Sequence, residues 1–303
     1  MTNLIRTFYY LLFKLITLPF LMFPRVLYGM AKFMALVRSR LGYVGRGKSR
    51  KSYLAHMARA LPQLDRKQLV ELLKAFWFVH QSNFIELFYL PTLSPKNVDQ
   101  KVEFEGLEIL EKARQEGKGV VLAVHYFGNE RVLHLALGMK GYPVHVLSSR
   151  YAESPLIVRH LRLSMAERYA RVHFPEEGPQ PLLRALRSGE IVQYSPPALG
   201  DVDAVHLDFL NHPVEFSTTP ERMAHITDAV LTTAWVHRLP GGRFRIVIDE
   251  PMQTPVPPNR VEWTRALAAR MERYIRKHPQ EFYWMWLLIQ SEETVPLKED
   301  RKL

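Results

Sequence analysis

Short apolar runs that start and stop abruptly constrain this chain more than any other feature. "GKGVVLAVHYF" from Gly117, "YPVHVLSS" from Tyr142 and "SGEIVQYSPP" from Ser188 each carry a few strongly β-favouring residues between glycine, proline or serine. Such runs are too short for a core helix and lack the strict alternation of a half-exposed strand, so they read as strands covered on both faces. Strands are expected at Val120–Val124, Val144–Leu147, Ile191–Tyr194, Val205–Leu210, Val230–Val236 and Phe244–Ile248. Helical periodicity falls between and around them, near 106–115, 130–139, 154–169, 180–187, 219–227 and 260–276. That alternation predicts an α/β fold: a mostly parallel sheet flanked by helices.

Upstream the texture differs. From Ser52 to Leu90 apolar positions recur at helical spacing in two helices joined at the proline of "LPQLD", and "PTLSPKN" reads as a linker. The stretch from Thr7 to Arg40 is richly apolar, yet Lys14, Arg25 and Lys32 interrupt it, and the intervals of eleven and seven put the three cations on one helical face. This is the pattern of a retained anchor lying in a membrane interface, kinked at Pro19 and Pro24, or else of a helix covering the core. The expected organisation is an N-terminal hydrophobic, membrane-associated helical segment with a basic connector over 1–50, then one domain over 51–303. That domain comprises a helical lead-in, 51–95, and an α/β core, 96–303.

The formal charge of +11 favours an acidic partner: nucleic acid, an anionic membrane surface or an acidic carrier protein. The chain has no cysteine, which excludes thiolate catalysis, thiolate metal sites and disulfides. "GYVGRGKS", Gly42 to Ser49, satisfies the phosphate-loop formula, but a basic helical segment precedes it where a buried strand is required, so nucleotide binding is not expected.

His125 ends the run "VVLAV", and Glu130 opens the next helical stretch. The C-terminal edge of an open α/β sheet is where ligands bind. A carboxylate in the first helical turn there can orient an imidazole and balance its charge, leaving the second ring nitrogen to take a proton from a hydroxyl. By spacing alone the pair reads equally well as a polar strand end followed by a helix-capping acid. A metal triad with His134 is the weaker rival, because the zinc-protease spacing is missing, and no metal is expected. Without a Gly-x-Ser-x-Gly elbow, a serine acyl-enzyme has no support. The near-terminal "EFYWMWLL" is expected to pack in the core rather than line a channel for acyl chains.

His-x4-Glu after a glycine-led apolar strand resembles the bacterial lipid A secondary (late) acyltransferases of the lysophospholipid acyltransferase-like superfamily. The likeness extends through the hydrophobic N-terminus, "YLAHMARALP", "VHYFGNE", "VLSSRY", "LRSGEIVQY", "VLTTAWVHRLPGGRFRIVIDEP" and "MERYIRKHPQEFYWMWLL". Asn211 stands where the family commonly carries glycine. The resemblance implies an acyltransferase at the cytoplasmic face of the bacterial inner membrane, needing no cofactor and no nucleic acid. It would move a fatty acyl chain from acyl carrier protein, or coenzyme A, to a hydroxyl of an anionic or glycolipid acceptor such as a lipid A precursor. His125 would be the general base and Glu130 its orienting partner, with no covalent enzyme intermediate. Arg150 and Arg238 match basic positions that would hold phosphate or stabilise the oxyanion, though Arg238 reads equally as a salt-bridge residue. Arg159 and Asn129 are further substrate-binding candidates. A membrane-surface binding protein that keeps the fold without the chemistry is the alternative.

Overall fold

The computed structural model of the chain describes residues 50–147, 163, 165–196, 204–252 and 260–293, together with Leu15, Val26, Tyr28–Met30, Phe33, Met34, Leu36 and Val37. Helices α1 (Arg50–Ala60) and α2 (Arg66–Tyr89) form the lead-in. Asp65 starts α2 with a capping box, accepting from the Gln68 amide while the Gln68 side chain accepts from its own. The expected linker at 91–97 opens with a 3₁₀ turn, Leu90–Thr92, and is followed by the short helix α3 (Val98–Lys101).

The core alternates strands and helices: β1 (Val102–Glu105), α4 (Leu107–Gln115), β2 (Val120–Ala123), α5 (Arg131–Met139), β3 (Val144–Leu147), β4 (Arg171–His173), α6 (Gln180–Arg187) and β5 (Ile191–Tyr194). It continues with β6 (Ala204–Phe209), β7 (His212–Ser217), α7 (Thr219–Thr227), β8 (Val230–Leu239), β9 (Arg243–Ile248), α8 (Arg260–Lys277) and α9 (Trp284–Glu293). Seven strands form one sheet in the order β1-β9-β8-β2-β5-β3-β4. Its neighbours are parallel except at the β8–β9 hairpin. The mostly parallel α/β sheet flanked by helices is therefore present.

The hairpin β6–β7 departs from the expected single sheet. The strand expected at Val205–Leu210 forms as β6, Ala204–Phe209, but it pairs with β7 in a separate two-stranded sheet. The turn holds Leu210 and Asn211 at φ 52° and 59°, as a tight two-residue hairpin demands. Asparagine tolerates this left-handed region. β1, β4 and β7 were not expected. β1 is charged at alternate positions, β4 spans three residues, and β7 contains a proline.

Two apolar clusters flank β2, divided by the period of two along the strand. Val120, Leu122 and Val124 pack with Val132, Leu133 and Ala136 of α5. Val121 and Ala123 face the other cluster, built from α1, α2, β6, β7, α8 and α9. Trp284, Leu287 and Leu288 of the near-terminal aromatic segment are buried in that second cluster, as expected of core residues.

Candidate active site

His125 lies just beyond β2, where the Val124 amide still bonds to the Tyr194 carbonyl of β5. Continuing the alternation sends its side chain to the face of Val121 and Ala123, away from α5. The ring is 1% exposed and sits in an aromatic box. Phe209 stacks on it at 5.5 Å between ring centroids, and Trp286 and Phe282 present edges at 4.7 and 5.0 Å. Its Nδ1 accepts from the Tyr126 amide at 2.7 Å, which puts the proton of the neutral ring on Nε2. That Nε2 is buried and has no hydrogen-bond partner among the described residues. Burial pushes the pKa of His125 down from 6.5 to about 3, so the ring stays neutral at physiological pH.

The chain then reverses through "YFGNE". Gly128 adopts φ 57°, and a Cβ there would meet the Val236 carbonyl oxygen at 1.8 Å, so only glycine fits. Glu130 ends the loop at the N-cap of α5, one position before the first turn, with Oε1 3.9 Å from Arg131. The structure brings His125 and Glu130 to one edge of the sheet on one loop but forms no hydrogen bond between them. α5 packs on the even face of β2 while the imidazole points to the odd one.

Glu130 lines a cleft of about 570 Å³ between α2, the 126–131 loop and residues 281–283. Phe76, Phe84, Tyr126 and Tyr283 supply aromatic walls, and Gln81, Asn83, Arg131 and Glu281 supply polar groups. A mostly apolar cleft with a few converging polar side chains is the usual form of a small-molecule or lipid-chain site. Beside it lies a buried network. Arg238 of β8 grips the Glu86 carboxylate of α2 through Nε and Nη2, and Nη2 also donates to Asn83 at 2.6 Å. Asn129 donates to Glu86 at 2.9 Å, and Tyr28 does so at 2.8 Å. Burial alone would lower the Arg238 pKa, but the charge and hydrogen bonds of Glu86 outweigh it and the net shift is upward.

Of the residues expected from the sequence, Arg238 and Asn129 are thus bound to Glu86, while Arg238 Nη1 makes no hydrogen bond and lies 4.0 Å from Glu281 Oε2. Arg150 and Arg159 lie outside the described residues, as does the stretch 42–49. His134 turns from the cleft to Gln193 of β5 at 3.3 Å, and among the described residues no three metal-ligating side chains converge. Glu86, Asn83 and Glu281 were not singled out from the sequence. The signal for Glu86 was available: a carboxylate on the otherwise apolar stretch "NFIELFY" of α2 is a buried charge in need of a partner.

The family model described as bacterial lipid A biosynthesis acyltransferase matches residues 5–290. A curated relative, the lipid A biosynthesis acyltransferase of Haemophilus influenzae (strain ATCC 51907 / DSM 11121 / KW20 / Rd), is 23% identical over 229 residues, which cover 75% of this chain and 70% of the relative. Because the family match takes in the sheet, the cleft and the His125–Glu130 loop together, the chain belongs to the bacterial lipid A biosynthesis acyltransferase family and is an acyltransferase.

Proposed function

We propose that the protein moves a fatty acyl chain from acyl carrier protein to a hydroxyl of a lipid A precursor at the cytoplasmic face of the bacterial inner membrane, with His125 and Glu130 as the general-base dyad. The observation that carries the chemistry is the buried, neutral His125 with an Nε2 that makes no hydrogen bond, one residue before Tyr126, which lines the cleft together with Glu130. A base needs a bare ring nitrogen, whereas here Nδ1 is capped by the Tyr126 amide and Nε2 holds the proton. Catalysis in this reading therefore includes a turn of the imidazole out of its aromatic box to meet Glu130, which then fixes the tautomer and balances the imidazolium. Arg150 and Arg159 are the proposed holders of acceptor phosphate. Arg238 and Asn129, through Glu86, are proposed to support the loop beside the substrate.

The membrane part of the reading rests on the N-terminal segment and on charge. Val26, Met30 and Phe33 are helical, spaced as one helical face, and 42–68% exposed, while Tyr28 and Met34 turn inward to Glu86 and to the cleft. Among the described residues no helix is long and apolar enough to cross a membrane, so the proposed contact is interfacial. A net charge of +11 suits both anionic lipid and an acidic carrier.

The test is mass spectrometry of lipids after incubating the purified protein with acyl carrier thioesters and an extract containing lipid A precursors and lysophospholipids. The expected product is a lipid A precursor heavier by one acyl group, and the expected loss for His125→Ala and Glu130→Gln is about a hundredfold or more. Acylation of a lysophospholipid alone would move the acceptor to another lipid class. Undiminished turnover by His125→Ala would remove the dyad.

A further inference from the structure

Residues 281–283 are zipped to the His125–Glu130 loop. Phe127 and Phe282 pair as an isolated antiparallel bridge, the Gly128 amide donates to the Glu281 carbonyl at 2.8 Å, and the Tyr283 amide donates to the Tyr126 carbonyl at 2.9 Å. Alternation across such a pair puts Glu281 and Tyr283 on the side of Tyr126 and Gly128, and these four line the cleft. Phe127 and Phe282 are buried, and Phe282 also borders the cleft. Glu281 is thus held by backbone bonds opposite the loop that ends in Glu130, and the two carboxyl groups share one cleft.

Its side chain is only 10% exposed, and its Oε2 is buried without a hydrogen bond. The nearest cation is Arg238 Nη1 at 4.0 Å, beyond hydrogen-bond reach, and that guanidinium is already engaged by Glu86. Glu86 takes Nε and Nη2 of that arginine, so Glu281 keeps only a long ion pair to Nη1 without a hydrogen bond, and a carboxyl oxygen buried in this way is poorly compensated as an anion. Arg238 from β8 and Glu86 from α2 act on it, Tyr274 of α8 interacts with it, and His80 of α2 and Glu130 and Arg131 at the start of α5 line the same cleft.

We propose that Glu281 is a further catalytic residue, the acid in the cleft that gives its proton to the sulfur leaving the acyl group. The role rests on the thioester-donor reading above. In that step the acceptor oxygen bonds to the carbonyl carbon, the carbon–sulfur bond breaks with its electron pair going to sulfur, and the hydroxyl proton passes to His125. The Glu281 proton passes to sulfur, releasing a free thiol, and the carboxylate regains a proton from the imidazolium or from solvent. Burial supports this by pushing the Glu281 pKa up to about 7, with Arg238 opposing and Glu86 adding to the rise.

The experiment is the pH profile of kcat for the full chain with an acyl carrier thioester, for wild type, Glu281→Gln and Glu281→Asp, with His125→Ala as reference. Wild type is expected to lose kcat as pH rises through about 7. Glu281→Gln is expected to be about a hundredfold slower below that pH with KM little changed, and to lack the basic limb, whereas Glu281→Asp keeps it. A basic limb that persists in Glu281→Gln, an equal fractional loss at every pH, or a wild-type profile without that limb would each overturn the role while leaving the dyad intact. If Glu281→Gln does not fold, the wild-type limb and its retention in Glu281→Asp decide the question. Wild-type protein inert to the thioester would overturn the donor reading and this role together.

Discussion

At the scale of single residues, burial without partners is the recurring theme. Glu221, in the first turn of α7, is fully buried, and neither carboxyl oxygen has a hydrogen-bond partner of normal geometry. Burial raises its pKa from 4.5 to about 7, its own amide and the Thr264 side chain opposing only in part. A raised carboxyl pKa means the folded state holds a proton that the unfolded state releases. The stability it contributes is fully present below about pH 4.5 and is lost as pH rises through about 7. Glu221→Gln is therefore expected to match wild type at pH 5 and to exceed it at pH 8 by on the order of 1–3 kcal/mol in urea unfolding. A stability difference that does not widen with pH would argue against a protonated Glu221. His125 shows the limit of spacing as evidence. Its position at a strand end was legible from "VVLAVH", but the direction of its ring follows from which face α5 covers, and five residues of sequence do not say that.

Between elements, a buried, doubly hydrogen-bonded ion pair joins α2 to β8. Glu86 and Arg238 are 152 positions apart, and their side chains are 1% and 8% exposed. Removing one partner leaves the other as an uncompensated buried charge, so Arg238→Ala is expected to cost about 3–5 kcal/mol in chemical denaturation. Combining it with Glu86→Gln should cost clearly less than the sum of the two single changes. Additive losses would mean that the pair is not coupled. The strands β2, β3 and β5 and the helices α6 and α7 were readable because two covered faces write continuous apolar runs and one covered face writes a helical stripe. The strands β1, β4 and β7 were not, since edge or hairpin positions carry charge, brevity or proline. The same physics hid β6–β7 as a separate sheet, because pairing partners leave no local mark.

For the whole molecule, the charge of +11 makes a prediction independent of any single residue. Raising salt from about 0.05 to 0.5 M shortens the Debye length from more than 10 Å to less than 5 Å, so binding to anionic vesicles and turnover with a carrier donor should both fall severalfold. Co-sedimentation and initial rates across that range check it, and salt-independent rates with carrier protein would remove electrostatic capture from the mechanism. The sequence alone determined the α/β class, the order of most elements, the family and the loop on which His125 and Glu130 lie. These are written in local periodicity and in short motifs that need only their neighbours. The tertiary structure alone decided that His125 faces an aromatic box, that Arg238 closes on Glu86, and that Glu281 stands opposite Gly128. Each of those depends on strand order and on which helix covers which face, and periodicity shows that a face is apolar without naming the distant segment that will cover it.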